Sequence, residues 1–154
     1  MWTRSVGSGE RGVTLVELAT VLALLAVGAA LVAPQTGQAL ASYHATGAAR
    51  DLYGALHLTR ARARATGVMH ALVVEPDGRG ARIVEDPTGD ARTVIGPWRL
   101  PEGVVVSGNT TIRFSPKGFA VPFGTLTIRA GDEIRRLVVN LLGRVRMDDG
   151  RTPR

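Results

Sequence analysis

The stretch "VTLVELATVLALLAVGAALVA", residues 13–33, is a run of apolar side chains holding a single carboxylic acid, Glu17, just inside its leading edge. No other feature of the chain constrains the fold as strongly. A helix rises about 1.5 Å per residue, so a run of this length reaches across a bilayer core of about 30 Å. The expectation is a membrane-spanning helix. Arg4 and Arg11 precede it with only Glu10 against them, so the positive-inside bias predicts a cytoplasmic N-terminus and a C-terminal domain on the far side. A cleaved secretory signal fits less well, because its apolar region runs about 7–15 residues and carries no acid. A plain anchor fits the length and leaves Glu17 without a reason, since a charge at the centre of a spanning helix costs about 2.5–3.5 kcal/mol.

Beyond the apolar run, Pro34 and Gly37 predict a kink, because proline removes a helical hydrogen bond and crowds the preceding turn. The helix then resumes. Leu40, His44, Ala48, Leu52, Leu56, Thr59 and Ala63 recur at three- and four-residue spacings, which lays one mostly apolar stripe along residues 38–66. Gly67 follows "RARARAT" as a C-terminal cap, so the helix is expected to end near Thr66. From Val68 onward the pattern changes to alternation of period two, broken by Gly and Pro: "VMHALVV", "ARIVED", "TVIGPWRL", "GVVVSG", "TIRFSPKGFAV", "GTLTIRAG" and "EIRRLVVNLLGRVRM". These segments read as short antiparallel strands, and the chain as one long helix set against a β domain, an α+β protein.

"RGVTLVEL", residues 11–18, resembles the processing site of type IV pilins and pseudopilins, in which a short basic leader and a glycine precede a long apolar helix with a glutamate five residues past the glycine. The resemblance implies cleavage between Gly12 and Val13 by a prepilin peptidase that also methylates the new N-terminus. It gives Glu17 a task as well: counter-charge to the freed amine of a neighbouring subunit, a pairing less costly than leaving either ion alone in apolar surroundings. "TIRFSPKGFA" followed by "RRLVVNLLGRVRM" is similar to the C-terminal half of the GspH/FimT branch, where an F-x-P-x-G strand and turn lead to a hairpin ending in G-R-x-R. The matching residues are Phe114, Pro116 and Gly118, then Gly143, Arg144 and Arg146. Residues 75–108 carry no motif of that branch.

What the resemblance implies is a pilin-like α+β fold with four parts: a leader at 1–12, a transmembrane helix at 13–33, its amphipathic continuation at 34–67, and a periplasmic β domain at 68–154. It places the chain in the inner membrane as a single-pass protein in contact with membrane lipid. It implies a minor pseudopilin of a type II secretion system, at or near the tip of the pseudopilus, whose partners are the prepilin peptidase, other pseudopilins or pilins, and secreted cargo. The alternative is a FimT-like minor pilin that takes up DNA through a basic C-terminal region.

Composition bears on that alternative. The 154 residues carry 19 Lys and Arg against 13 Asp and Glu, a net charge of +6 with Lys117 as the sole lysine, so an anionic partner fits. Arg144, Arg146, Arg151 and Arg154 are the candidate phosphate contacts, because guanidinium forks grip phosphates without reading sequence. Asp148 and Asp149 cancel part of that field. Arg60 and Arg64 stand one helical turn apart, with a solvated face as the simpler reading.

No catalytic constellation is present in the sequence. Cysteine is absent, His44, His57 and His70 are too scattered for a metal set, and the acid pairs Glu85-Asp86 and Asp148-Asp149 fall at turns. The sequence implies neither cofactor nor metal, and a structural protein rather than an enzyme.

Overall fold

The computed structural model describes residues 14–148, and within its helix the side chains outside 30–36. It divides into two compact units, one ending at Gly37 and the other beginning at Gln38. Helix α1 (Leu15–Thr66) contributes to both. It begins at Thr14, whose Oγ1 accepts a hydrogen bond from the Glu17 N–H at 3.2 Å, and its first closed turn is the Leu18 N–H to Thr14 carbonyl bond. It ends where the sequence places the end, before Gly67 in a left-handed conformation (φ 71°). The backbone is helical on both sides of Pro34 and through it.

The expected membrane span is overturned. Among the described residues no helix is long and apolar enough to cross a membrane. Glu17 stands in the first turn of that helix, and the described side chains of the run, 14–29, are fewer than the roughly 20 a crossing needs. The single-pass topology, the inner-membrane placement and the lipid contact drawn from that run go with it. The proposed leader, residues 1–12, and Val13 lie outside the described residues.

In the second unit one face of the helix is buried. Ala45, Ala48, Ala49, Leu52, Leu56, Thr59 and Ala63 are all 0% exposed. Alanines let the helix axis lie close to the β domain, while Leu52 and Leu56 fill the wider part of the gap. The buried Thr59 hydroxyl donates to the Ala55 carbonyl at 2.7 Å, which satisfies it within the helix. The expected stripe is displaced at its beginning. Leu40 is 55% exposed and His44 half-buried, and Ala41 and Ala45 face the core instead, because spacings of four alone drift around a helix of 3.6 residues per turn.

Eight strands follow: β1 (His70–Val74), β2 (Gly80–Glu85), β3 (Arg92–Arg99), β4 (Val104–Gly108), β5 (Thr111–Phe114), β6 (Gly124–Ala130), β7 (Glu133–Val139) and β8 (Val145–Asp148). They form two antiparallel four-stranded sheets, ordered β3-β2-β1-β5 and β4-β6-β7-β8. Alternation sets what each buries: Val104 and Val106 are buried with Val105 exposed between them, and Leu126, Ile128 and Ala130 follow the same rule. Phe114, Leu72, Ile83, Ile112, Leu126, Ile128 and Leu137 complete one core with the helix stripe. Two backbone bonds stitch the sheets together, Val106 N–H to Gly78 O at 2.8 Å and Ala120 N–H to Leu141 O at 3.0 Å.

Candidate functional site

The second of those stitches lies where the two sequence motifs meet. Ser115-Pro116-Lys117-Gly118 is a β-turn closed by Gly118 N–H to Ser115 O at 2.7 Å, with proline at its second position and glycine at its fourth, where each is favoured. The Ser115 hydroxyl also accepts from the Phe119 N–H at 3.2 Å. Asn140-Leu141-Leu142-Gly143 is built alike and closed by Gly143 N–H to Asn140 O at 2.9 Å. There the Asn140 side chain accepts from the Arg144 N–H at 2.9 Å. Both glycines have positive φ, and a Cβ at Gly143 would collide with the Gly118 carbonyl oxygen, so the two turns touch backbone to backbone.

Arg60 locks this junction from the helix. Its Nε donates to Gly118 O at 3.0 Å and its Nη2 to Leu142 O at 2.9 Å, one bond to each turn. The solvated-face reading therefore fails for Arg60. A guanidinium fork suits two carbonyls in fixed directions, and charge-assisted bonds of this kind are worth more than neutral ones. Sequence reasoning missed this role because the acceptors are main-chain carbonyls 58 and 82 residues away.

Cations stand around the junction. Arg64, one turn along the helix, has its Cδ 3.2 Å from where a Gly118 Cβ would be. Lys117 and Arg144 flank the two glycines and are exposed. Arg144 and Arg146 stand either side of the buried Val145, so both point away from the core, as the strand spacing predicts. Among the described residues none of these four forms an ion pair. Arg151 and Arg154 lie outside the described residues, as do Gly12 and Val13. Glu17 is exposed, in the first turn of α1. With Thr14 it reads as a capping sequence, threonine three residues before glutamate, and an acid in the first turn also complements the helix dipole.

The other candidates stay apart. His44 Nδ1 donates to the Glu102 carbonyl at 3.1 Å, and the His57 ring packs 4.5 Å from that of Tyr53. His70 is buried with Nδ1 donating to Val68 O at 3.0 Å and Nε2 3.9 Å from Glu85. Among the described residues no group of three or more His, Asp or Glu could hold a metal. The segment without a motif does shape a cleft of about 630 Å³, lined by Glu75, Asp77, Arg82, Trp98 and Arg99. Its charges are matched in pairs, Arg82 with Glu75 at 2.7 Å and Arg99 with Asp77 at 3.3 Å, which leaves it nearly neutral.

Residues 48–143 match the family model described as type II transport protein GspH. None of the curated proteins matches this chain. The solved structures it is similar to include the type IV minor pilin FimU of Pseudomonas aeruginosa, at 18% identity over 67% of this chain and 87% of that one, with a TM-score of 0.54. The minor pseudopilin EpsH of the type 2 secretion system of Vibrio cholerae is similar at 17% identity over 69% of this chain and 97% of that one, TM-score 0.57. A second EpsH structure aligns with a TM-score of 0.59 at 16% identity, over 73% of this chain and 99% of that one. At such identities the structural likeness shows the fold, a pilin-like helix packed on antiparallel sheets. The family model reaches further, taking in the buried helix stripe from Ala48 on, Arg60 and both motif turns over most of the chain: the protein belongs to the GspH family and is a minor pseudopilin or pilin, a structural subunit rather than an enzyme.

Proposed function

We propose that this subunit serves a type II secretion system, as a minor pseudopilin at or near the tip of the filament, where its β domain, residues 68–154, meets other pseudopilins and secreted cargo. The observation that carries this reading is the match of residues 48–143 to the type II transport family. The arrangement of the motif residues supports it: they are spent on a rigid junction of two turns held by Arg60, a scaffold for contact surfaces. The chain's chemistry is done to it. A prepilin peptidase removes residues 1–12 and methylates Val13, and Glu17 pairs with a neighbouring subunit during assembly.

Deletion of the gene in its own host, with complementation, tests the assignment. Loss of extracellular enzyme secretion with DNA uptake intact is the expected result, and the reverse pattern assigns the chain to a type IV pilus. Processing has its own readout: mass spectrometry of the protein from that host is expected to give N-methylated Val13 as the first residue, and an unmethylated start anywhere else removes Gly12 and Val13 from the account.

Arg144 and Arg146, in no ion pair among the described residues, favour a second reading, DNA capture. Were it correct, the full chain would bind duplex DNA with an affinity that falls steeply with salt, and replacing both arginines with alanine would flatten the slope by roughly 2, at about 0.9 for each phosphate no longer neutralised. Absence of binding near 50 mM salt eliminates it.

A further inference from the structure

The junction of the two turns carries an exposed apolar surface that scaffolding alone does not require. Phe119, Val121 and Phe123 are 42%, 55% and 62% exposed along one loop, with Ala120 fully buried between the first two and Pro122 exposed between the last two. Leu141 and Leu142, on the facing turn, are 52% and 59% exposed. The Ala120 N–H to Leu141 O bond at 3.0 Å ties the two groups to each other. Two leucines at the central positions of a tight turn are unusual, since turns favour Gly, Pro, Asn, Asp and Ser. Large apolar side chains exposed in a group around one junction, rather than scattered singly, point to a contact site.

The surroundings of the patch state the partner's chemistry. Arg64, Lys117 and Arg144 stand at its edge, and none of them pairs with an acid among the described residues. We propose that this patch docks another protein subunit through apolar side chains ringed by Asp and Glu carboxylates. An apolar centre inside a charged rim is the build of a protein interface, whereas surfaces that grip duplex DNA are more polar and much more strongly cationic. The rim cations steer and orient the partner, and the phenylalanines and leucines supply the burial that holds it. Arg60 is not part of the contact. By holding both turns it presents the patch already ordered, so little conformational entropy is lost on docking.

This inference rests on the proposed subunit role and adds the surface and the partner type to it. The test uses the full chain in its own host, with a photo-reactive phenylalanine analogue in place of Leu142, and in place of Arg129 on β6 as a control. The expected result is a crosslink from position 142, and not from 129, to one protein segment in which exposed apolar residues are flanked by carboxylates. Adding Lys117→Glu and Arg144→Glu is expected to cut the yield at least about fivefold, since like charges then face each other across the rim. Changing the partner's flanking acids to lysine is expected to restore it. The proposal is overturned by a crosslink to DNA, by a partner segment without acids, by a yield indifferent to the charge reversal, or by equal yields at 142 and 129. If position 142 gives no specific crosslink while deletion still abolishes secretion, the patch is wrong and the subunit role stands. If the crosslink appears and secretion is unaffected by deletion, the patch stands and the secretion assignment falls.

Discussion

The two halves of helix α1 put their side chains to opposite uses. Before Gly37 the large ones face outward: Leu15 is 84% exposed and Leu22 58%. After Gln38 one face is hidden, small and large side chains alike, with Ala45, Ala48 and Ala49 at 0% beside Leu52 and Leu56. Hydrophobicity by itself therefore does not decide burial in this helix. What decides it is whether a surface of fitting shape lies opposite, and in the second unit the alanines face sheets that approach closely. Apolar side chains left outward on a regular helix suit contact with copies or relatives of the same chain, which is what a filament subunit would use them for.

The largest effect expected from this contrast is at Leu52. Leu52→Ala leaves a cavity between helix and sheets and should cost about 2–5 kcal/mol, read from urea unfolding followed by far-ultraviolet circular dichroism. Leu22→Ala, the same chemical change in the exposed half, should stay within about 0.5 kcal/mol. Equal losses at the two positions would break the contrast and show that the first half is packed as well.

The Arg60 lock comes next in size. Arg60→Met keeps most of the side-chain volume and strips the Gly118 and Leu142 carbonyls of their donor, and should cost about 2–3 kcal/mol in the same assay, each bond to a charged group contributing about 1.5–3 kcal/mol with part recovered by water. Arg60→Lys should regain less than half of the loss, because a lysine lacks the fork that reaches two turns at once. An unfolding midpoint unchanged in Arg60→Met would return Arg60 to the solvated face that its sequence context suggests.

These residues show how far the sequence could be read. The helix end at Thr66, the strands and the turn glycines were all legible, because capping and alternation are local rules and Gly67, Val104–Val106 and Gly118 obey them. Long-range facts were not. Nothing in the spacing separates the strands into β3-β2-β1-β5 and β4-β6-β7-β8, and nothing near Arg60 announces that its acceptors are main-chain carbonyls on two distant turns. The family motifs were visible as strings, Phe114-x-Pro116-x-Gly118 and Gly143-Arg144-x-Arg146, without the reason for their glycines, which is that the turns touch. Residues 13–33 were misread for a different cause. Length and apolar character suggested a crossing, and the same emphasis hid a purely local signal, the threonine three residues ahead of Glu17.

That pair gives the smallest effect and the sharpest separation of two roles for one acid. If Glu17 matters mainly as part of the helix start, Thr14 and Glu17 are parts of one device, and removing either frays the first turn. If its main task is pairing with a neighbouring subunit, the two substitutions part company. Thr14→Ala removes the acceptor for the Glu17 N–H and should cost the helix about 1 kcal/mol, seen as faster amide exchange confined to the first turn, with assembly unchanged. Glu17→Gln keeps a side chain able to complete a capping sequence while discharging it, so exchange in that turn should barely move and co-assembly with wild-type subunits should fall severalfold. Assembly lost equally in Thr14→Ala and Glu17→Gln would mean that the acid acts through the cap, and the case for an intersubunit charge pair at Glu17 would end there.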